Sequence, residues 1–178
     1  VEYRIEYNDE SRASMAARKQ RSFALQKGRI GLISDTHGLV RTEALKALEG
    51  VELIVHAGDI GKPEVLDRLQ AIAPLAAIKG NNDTAPWARC IPEILDLQVK
   101  GRTLRVIHNV RDSESNLRAA GIDVVISGHS HKPSVQTRDS VLFVNPGSAG
   151  PRRFKLPVTV GLLLLADADP QIEIIHLL

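Results

Sequence analysis

Residues 29–38 read Arg29-Ile30-Gly31-Leu32-Ile33-Ser34-Asp35-Thr36-His37-Gly38. A short apolar run closed by polar residues and a glycine predicts a buried strand that ends in a loop. The same design recurs downstream. Leu53-Ile54-Val55-His56 runs into Ala57-Gly58-Asp59, and Leu75 to Ile78 runs towards Gly80-Asn81-Asn82-Asp83. Between these strands lie two helical stripes. Arg41 to Glu49 carries Ala44, Leu45, Ala47 and Leu48, and the stretch from Pro63 carries Val65, Leu66, Leu69 and Ile72. Pro63 stands where a first helical residue tolerates proline. Strand, helix, strand, helix, strand predicts parallel strands joined by right-handed crossovers.

The second half is richer in strands. Ile94–Val99 and Arg102–Ile107 flank Lys100-Gly101, a hairpin signal. A polar helix is expected over Ser113 to Ala120, closed by Gly121. Val124 to Ser127 is a further buried strand, before Gly128-His129-Ser130-His131. Further strands are expected at Ser134–Thr137, Leu142–Asn145, Val158–Leu165 and Ile172–Leu177. So many strands in about 150 residues predict two sheets flanked by helices rather than one.

Composition narrows the function classes. The chain has 178 residues, 43% hydrophobic and 25% charged, which suits one soluble globular domain. The longest near-apolar run, Val158 to Ala166, is far short of the roughly 20 residues a membrane-spanning helix requires. Cys90 is the only cysteine, so no internal disulfide forms and a four-cysteine zinc site is excluded; a cytoplasmic setting is expected. Aromatic residues, at 3%, are too few for a base-stacking platform. Residues 1–29 hold seven Lys/Arg against four Asp/Glu, and the remainder holds 16 against 17. The basic balance thus belongs to an N-terminal arm, residues 1–28, and a single domain is expected over residues 29–178. The arm reads as a solvated tail, with contact to polyanions as the alternative. The sole methionine is Met15, so residues 1–14 read as an added leader or a misplaced start.

One regularity carries chemistry. Five strands end in residues of metal-ligand type: Asp35 with His37, Asp59, Asn81, His108, and His129 with His131. The carboxyl ends of parallel strands form the crevice where ligands bind, and residues two apart in an extended chain share a side. Two Asp, one Asn and four His give seven oxygen and nitrogen donors. A single four-coordinate ion leaves three buried polar groups without partners, which is costly. Two ions sharing one carboxylate use all seven. Such donors suit Mn, Ni, Fe, Co or Zn and disfavour Cu(I) and iron–sulfur clusters.

These residues resemble a known family. Asp35-x-His37, Gly58-Asp59, Gly80-Asn81-x-Asp83, His108 and Gly128-His129-x-His131 are similar to the motifs of the calcineurin-like metallophosphoesterases, and most like the small bacterial YfcE-type phosphodiesterases. Asn145-Pro146-Gly147-Ser148 resembles a segment near the end of that subfamily. The resemblance implies a four-layer α/β/β/α sandwich of two mixed sheets. It implies two divalent metal ions, manganese among the candidates. Asp35, His37, Asp59 and His131 would hold the first, and Asp59, Asn81, His108 and His129 the second. It implies hydrolysis of a phosphate ester, a diester above all, by attack of a hydroxide bridging the ions. Asp59, Asn81, His108 and His129 are the expected catalytic set, and a small-molecule ester the expected substrate. Many relatives carry a histidine after the ligand asparagine to protonate the leaving group. Here that position is Asn82, which has no acidic proton, so esters with poor leaving groups should react weakly. Relatives commonly show His-Gly-His at the fourth motif, where this chain has His108-Asn109-Val110.

Other residues divide between readings. His56 either orients Asp59 from behind or is a hydrogen-bonded core histidine. His176 lies in an apolar strand and reads as structural. Cys90 shows no base partner and reads as a plain thiol. Ser148 lacks the Gly-x-Ser-x-Gly frame of a serine hydrolase. The stretch from Gly58 to Lys62 lacks phosphate-loop spacing. Arg152, Arg153 and Lys155 read as a solvated basic loop, with a grip on substrate phosphate or a partner chain as alternatives. A nuclease would need a basic groove, which the acidic balance of residues 30–178 disfavours. A non-catalytic scaffold, the role of the retromer subunit with this fold, is disfavoured because all seven ligand positions are filled. A homo-oligomer stays open, since edge strands can pair between copies.

Overall fold

The structure is a computed structural model and describes residues 18–113, 116–166 and 169–178. Two mixed sheets face each other. The first has five strands, β2 (Arg29–Ile33), β3 (Leu53–Ala57), β4 (Leu75–Ile78), β10 (Thr159–Leu164) and β11 (Gln171–His176), ordered β11-β10-β2-β3-β4. The second has six, β1 (Arg18–Phe23), β5 (Ile94–Val99), β6 (Arg102–Ile107), β7 (Val124–Ile126), β8 (Ser134–Arg138) and β9 (Val141–Asn145), ordered β1-β5-β6-β7-β9-β8. In the first sheet β2, β3 and β4 run parallel, as the strand–helix alternation predicts. In the second, β6, β7 and β9 run parallel. The carboxyl ends of β2, β3, β6 and β7 meet at one end of the sandwich.

Alternation along the strands builds the core. Ile30, Leu32, Leu53, Val55 and Ile78 point from the first sheet onto Leu95, Leu97, Leu104, Val106, Val124 and Ile126 of the second, all buried. Each such Leu or Ile contributes roughly 1.5–3 kcal/mol by leaving water. The outer face of the first sheet, through Ile33, Ile54 and Val160, packs on two helices, α1 (Thr42–Ala47) and α2 (Pro63–Gln70). α2 starts at Pro63 and buries Val65 and Leu69, as its spacing requires. The outer face of the second sheet carries Asp96 and Arg105, directly opposite across β5 and β6 and both buried. Arg105 Nε donates to Asp96 Oδ1 at 2.8 Å and Nη2 to Oδ2 at 3.0 Å, a two-pronged pair.

Two expectations change. The helix over Ser113 to Ala120 is absent among the described residues, which omit Glu114 and Ser115. A single turn stands there. Asn116 Oδ1 accepts the Ala119 N–H, and Ile122 N–H reaches back to Leu117 O across Gly121, whose φ is 75°. Leu117 and Ile122 are the buried apolar residues of this segment, too few for a helical stripe, so the turn closes at once. The layer over the second sheet is therefore thin. Second, residues 18–23, read from sequence as part of a solvated arm, form β1 and pair in parallel with β5. This edge strand is polar and its register comes from its partner, so alternation gives no sign of it. Among the described residues no helix is long and apolar enough to cross a membrane.

Candidate metal centre

The loops that leave β2 and β3 continue the sheet pairing beyond the strands. Asp35 N–H donates to Gly58 O at 3.0 Å, His37 N–H to Asp59 O at 2.9 Å and Gly38 N–H to Ile60 O at 2.7 Å. On the other sheet, Gly128 N–H donates to His108 O at 3.0 Å. Two glycines let the loops close. A Cβ on Gly80 would lie 2.2 Å from Asp59 Oδ1, and one on Gly128 1.9 Å from Ser34 Oγ. The sheets are joined across the site. His108 Nδ1 donates to Ala57 O at 2.7 Å, and His129 N–H donates to Asp35 Oδ2 at 3.1 Å.

The seven residues singled out by sequence form one chain of contacts. His129 Nδ1 is 3.1 Å from Asn81 Oδ1, and the His129 ring meets that of His108 edge-on at 5.2 Å. His108 Nε2 lies 3.4 Å from Asp59 Oδ2, and His37 Nε2 lies 3.9 Å from the same oxygen. His37 Nε2 and His131 Nε2 are 3.3 Å apart, and His131 Nε2 is 3.3 Å from Asp35 Oδ1. Donor atoms of Asp35, His37 and His131 all fall within 4.8 Å of one another, as do those of Asp35, Asp59 and His108. The second cluster thus includes Asp35, which the resemblance assigns to the other group. Asn81 and His129 stand at its exposed flank.

The electrostatics favour a cation. Asp35 Oδ1, His108 Nε2 and His131 Nδ1 are buried without a hydrogen-bond partner. Burial pushes the Asp35 carboxyl up to about 6, although Ser34 Oγ donates to it at 2.7 Å. Burial lowers His37, and lowers His131 to about 4, with Arg153 and His37 adding repulsion there, so both rings stay neutral and keep a lone pair for a ligand. Burial would raise Asp59, but the His108 ring 3.4 Å away and hydrogen bonds from both amide groups of Asn82 hold it well below the usual carboxylate range. Burial likewise opposes charge on His108, yet Asp59 and the Ala57 carbonyl raise it. Because His108 Nδ1 donates to that carbonyl, Nε2 is the atom aimed at Asp59. Hard and borderline divalent ions suit such a nitrogen and oxygen set.

Strain marks the same residues. Asp35, His37, Asp59, His129 and His131 have φ of 52°, 46°, 55°, 66° and 58°, the left-handed region that ordinary side chains avoid. Their neighbours hold them there. Asp83, quoted in the sequence motif without a role, is buried and accepts N–H bonds from Ile60, Gly61 and Gly80 at 3.0, 2.8 and 2.8 Å, tying the Asp59 loop to the Asn81 loop. Asn145 Nδ2 donates to Gly128 O, and Ser148 Oγ to Asp35 O at 3.0 Å. The Asn145–Ser148 segment thus braces loops from both sheets. Sequence reading gave these braces no role, because a loop Asp, Asn or Ser is ordinary; their burial is the missing signal.

Residues 29–168 match the Calcineurin-like phosphoesterase superfamily domain. The chain belongs to this superfamily. A protein of Methanocaldococcus jannaschii named "Probable metallophosphoesterase" is 39% identical over 133 residues, 67% of this chain and 67% of its own length. The phosphodiesterase YfcE of Escherichia coli is 28% identical over 161 residues, 73% of this chain and 84% of its own. Its solved structure superposes with a TM-score of 0.58, covering 84% of this chain and 99% of that one at 21% identity. Vacuolar Protein Sorting 29 of Cryptosporidium parvum shares the fold, with a TM-score of 0.68, 18% identity and coverage of 84% and 97%. The superfamily assignment makes this chain a phosphoesterase relative whose site offers candidate ligands for divalent metal.

Proposed function

We propose that the chain hydrolyses phosphodiesters of small molecules at a centre of two divalent ions. The observation that carries this reading is the convergence of Asp35, His37, Asp59, His108 and His131, flanked by the Asn81–His129 pair, with three buried polar atoms left without partners. Asp35, His37 and His131 would hold one ion, and Asn81, His108 and His129 the other, with Asp59 between them. Bound there, the ions supply an acidified water as nucleophile and charge to offset the phosphoryl oxygens.

The protein's own groups set the geometry. Ser34 and the His129 N–H fix the Asp35 carboxylate, Ala57 O fixes the His108 ring, and Asn82 fixes Asp59. Beside Asn81, His108 and His129 opens a cleft of about 330 Å³, walled also by Ile94, Lys79, Glu93, Asn109 and Asp112. Lys79 Nζ is already paired with Glu93 at 3.1 Å. Such a cleft accepts a compact neutral or cationic leaving group, and its carboxylates oppose a polyanion, which favours a small ester over nucleic acid.

Hydrolysis of bis(p-nitrophenyl) phosphate tests the reading. Turnover should vanish with chelator, return with added divalent metal, and fall at least about a hundredfold in Asp59→Ala and His131→Ala together with metal uptake. Undiminished turnover in both variants sinks the assigned site. Metal uptake without turnover on any phosphate ester favours a scaffold, and salt-sensitive cleavage of DNA or RNA favours a nuclease.

A further inference from the structure

Residues 149–158 form a loop beside the His37 edge of the site, tethered at both ends. Ala149 N–H donates to Ser34 O at 3.0 Å, and Ser148 and Val158 form an isolated β-bridge. A Cβ on Gly150 would meet Thr36 O at 2.4 Å, and Arg41 donates to Gly150 O at 3.3 Å, so the loop starts pressed on the His37 segment. At its tip, Leu156 N–H closes on Arg153 O at 3.0 Å, and Arg152 Nε reaches Leu156 O at 3.3 Å. Phe154 in this turn is 95% exposed with φ 53°. An exposed aromatic in left-handed backbone adds nothing to folding, and such strain is characteristic of functional segments.

The turn delivers Arg153 to the centre. Its Nη2 lies 3.4 Å from His37 Nε2. A guanidinium has donors only, so the imidazole nitrogen must face it with a lone pair. That nitrogen also faces His131 and Asp59, at 3.3 and 3.9 Å.

We propose that Arg153 grips the substrate's phosphoryl group, bonding its non-bridging oxygens on the His37–His131 side of the centre. The proposal rests on the functional reading above. A cation on the His37 lone pair and a guanidinium beside it repel each other unless an anion stands between them. A phosphoryl group is such an anion: with the His37 lone pair taken by a cation, the guanidinium draws back from its 3.4 Å contact, and its planar fork matches two phosphoryl oxygens. On the opposite flank Lys79 is spent on Glu93, and Asp112 leaves the cleft with a net negative charge that repels those oxygens. The phosphoryl oxygens therefore face Arg153, and the leaving group faces the cleft.

Orthophosphate binding to the metal-loaded protein, followed by calorimetry, tests this without turnover. Arg153→Ala should bind phosphate about tenfold more weakly, one charge-assisted contact being lost. Bound metal, measured by elemental analysis, should not change. Arg153→Lys should fall between, and Lys155→Ala, which removes an exposed charge two residues away, should match the wild type. The KM for bis(p-nitrophenyl) phosphate should rise with Arg153→Ala. Unchanged phosphate affinity in Arg153→Ala overturns the proposal, and so does an equal loss in Lys155→Ala, which would mark a diffuse field. A wild-type chain that takes up no divalent ion removes the functional reading itself; a loaded chain indifferent to Arg153→Ala removes only this one.

Discussion

Of the two readings posed by sequence, His56 takes that of the hydrogen-bonded core histidine; its partners are Gly58 and Thr36, not Asp59. It is fully buried; its Nδ1 accepts the Gly58 N–H at 3.2 Å, so Nε2 carries the hydrogen and donates to Thr36 Oγ1 at 2.9 Å. Thr36 passes its own hydrogen to Ile60 O at 3.0 Å. A core histidine thus ties together the loops bearing Asp35, His37 and Asp59. Burial lowers its pKa from 6.5 to about 3. Between those values the unfolded chain binds a proton that the folded chain refuses, so stability falls as pH drops, by about 1.4 kcal/mol per unit. In urea unfolding of metal-free protein, the loss between pH 7 and pH 5 should be about 2 kcal/mol smaller for His56→Gln than for wild type. Equal losses would show that His56 does not titrate this way. Asn82 makes a second prediction. Its amide is spent on Asp59 and has no acidic proton. General acid help is worth roughly 100–10,000-fold, so aryl diesters should outpace alkyl diesters by at least about a hundredfold. Comparable kcat on both would reveal another acid.

At the scale of elements, legibility followed burial. The strands of both sheets were readable where apolar runs were bounded by turns, and α2 where Pro63 led a stripe. β1 was hidden because Arg18–Phe23 carries no pattern of its own, and the expected helix failed because only Leu117 and Ile122 could anchor it. At the site, donor residues at strand ends were legible, since a cluster of Asp and His after apolar runs is improbable. The braces Asp83, Asn145 and Ser148 were not, since what distinguishes them is contact made in three dimensions. The Asp96–Arg105 pair was equally hidden in a β5–β6 hairpin. Buried charges are strongly coupled: Asp96→Ala should lower unfolding free energy by about 3–5 kcal/mol. An apolar double replacement, Asp96→Leu with Arg105→Met, should recover most of that loss. A single-variant loss under 1 kcal/mol in denaturant titration would contradict the burial.

At the scale of the whole molecule, the centre joins two sheets through Ala57 with His108, Asp35 with His129, and Ser34 with Ala149. Ions bound only by the folded chain raise its stability, by about 2.7 kcal/mol at a hundredfold excess over Kd. For a chain of this size the melting temperature in added divalent metal should exceed that in chelator by roughly 5–10 °C. Identical melting curves would mean that the donors do not converge on metal. The five left-handed donor residues pull the other way. Glycine at Asp35, His37, Asp59, His129 or His131 would relax the backbone and delete a donor in one step. A variant library sorted in chelator on heat survival alone would therefore drift toward sturdier, inert sandwiches, and directed evolution of this protein has to screen turnover alongside endurance.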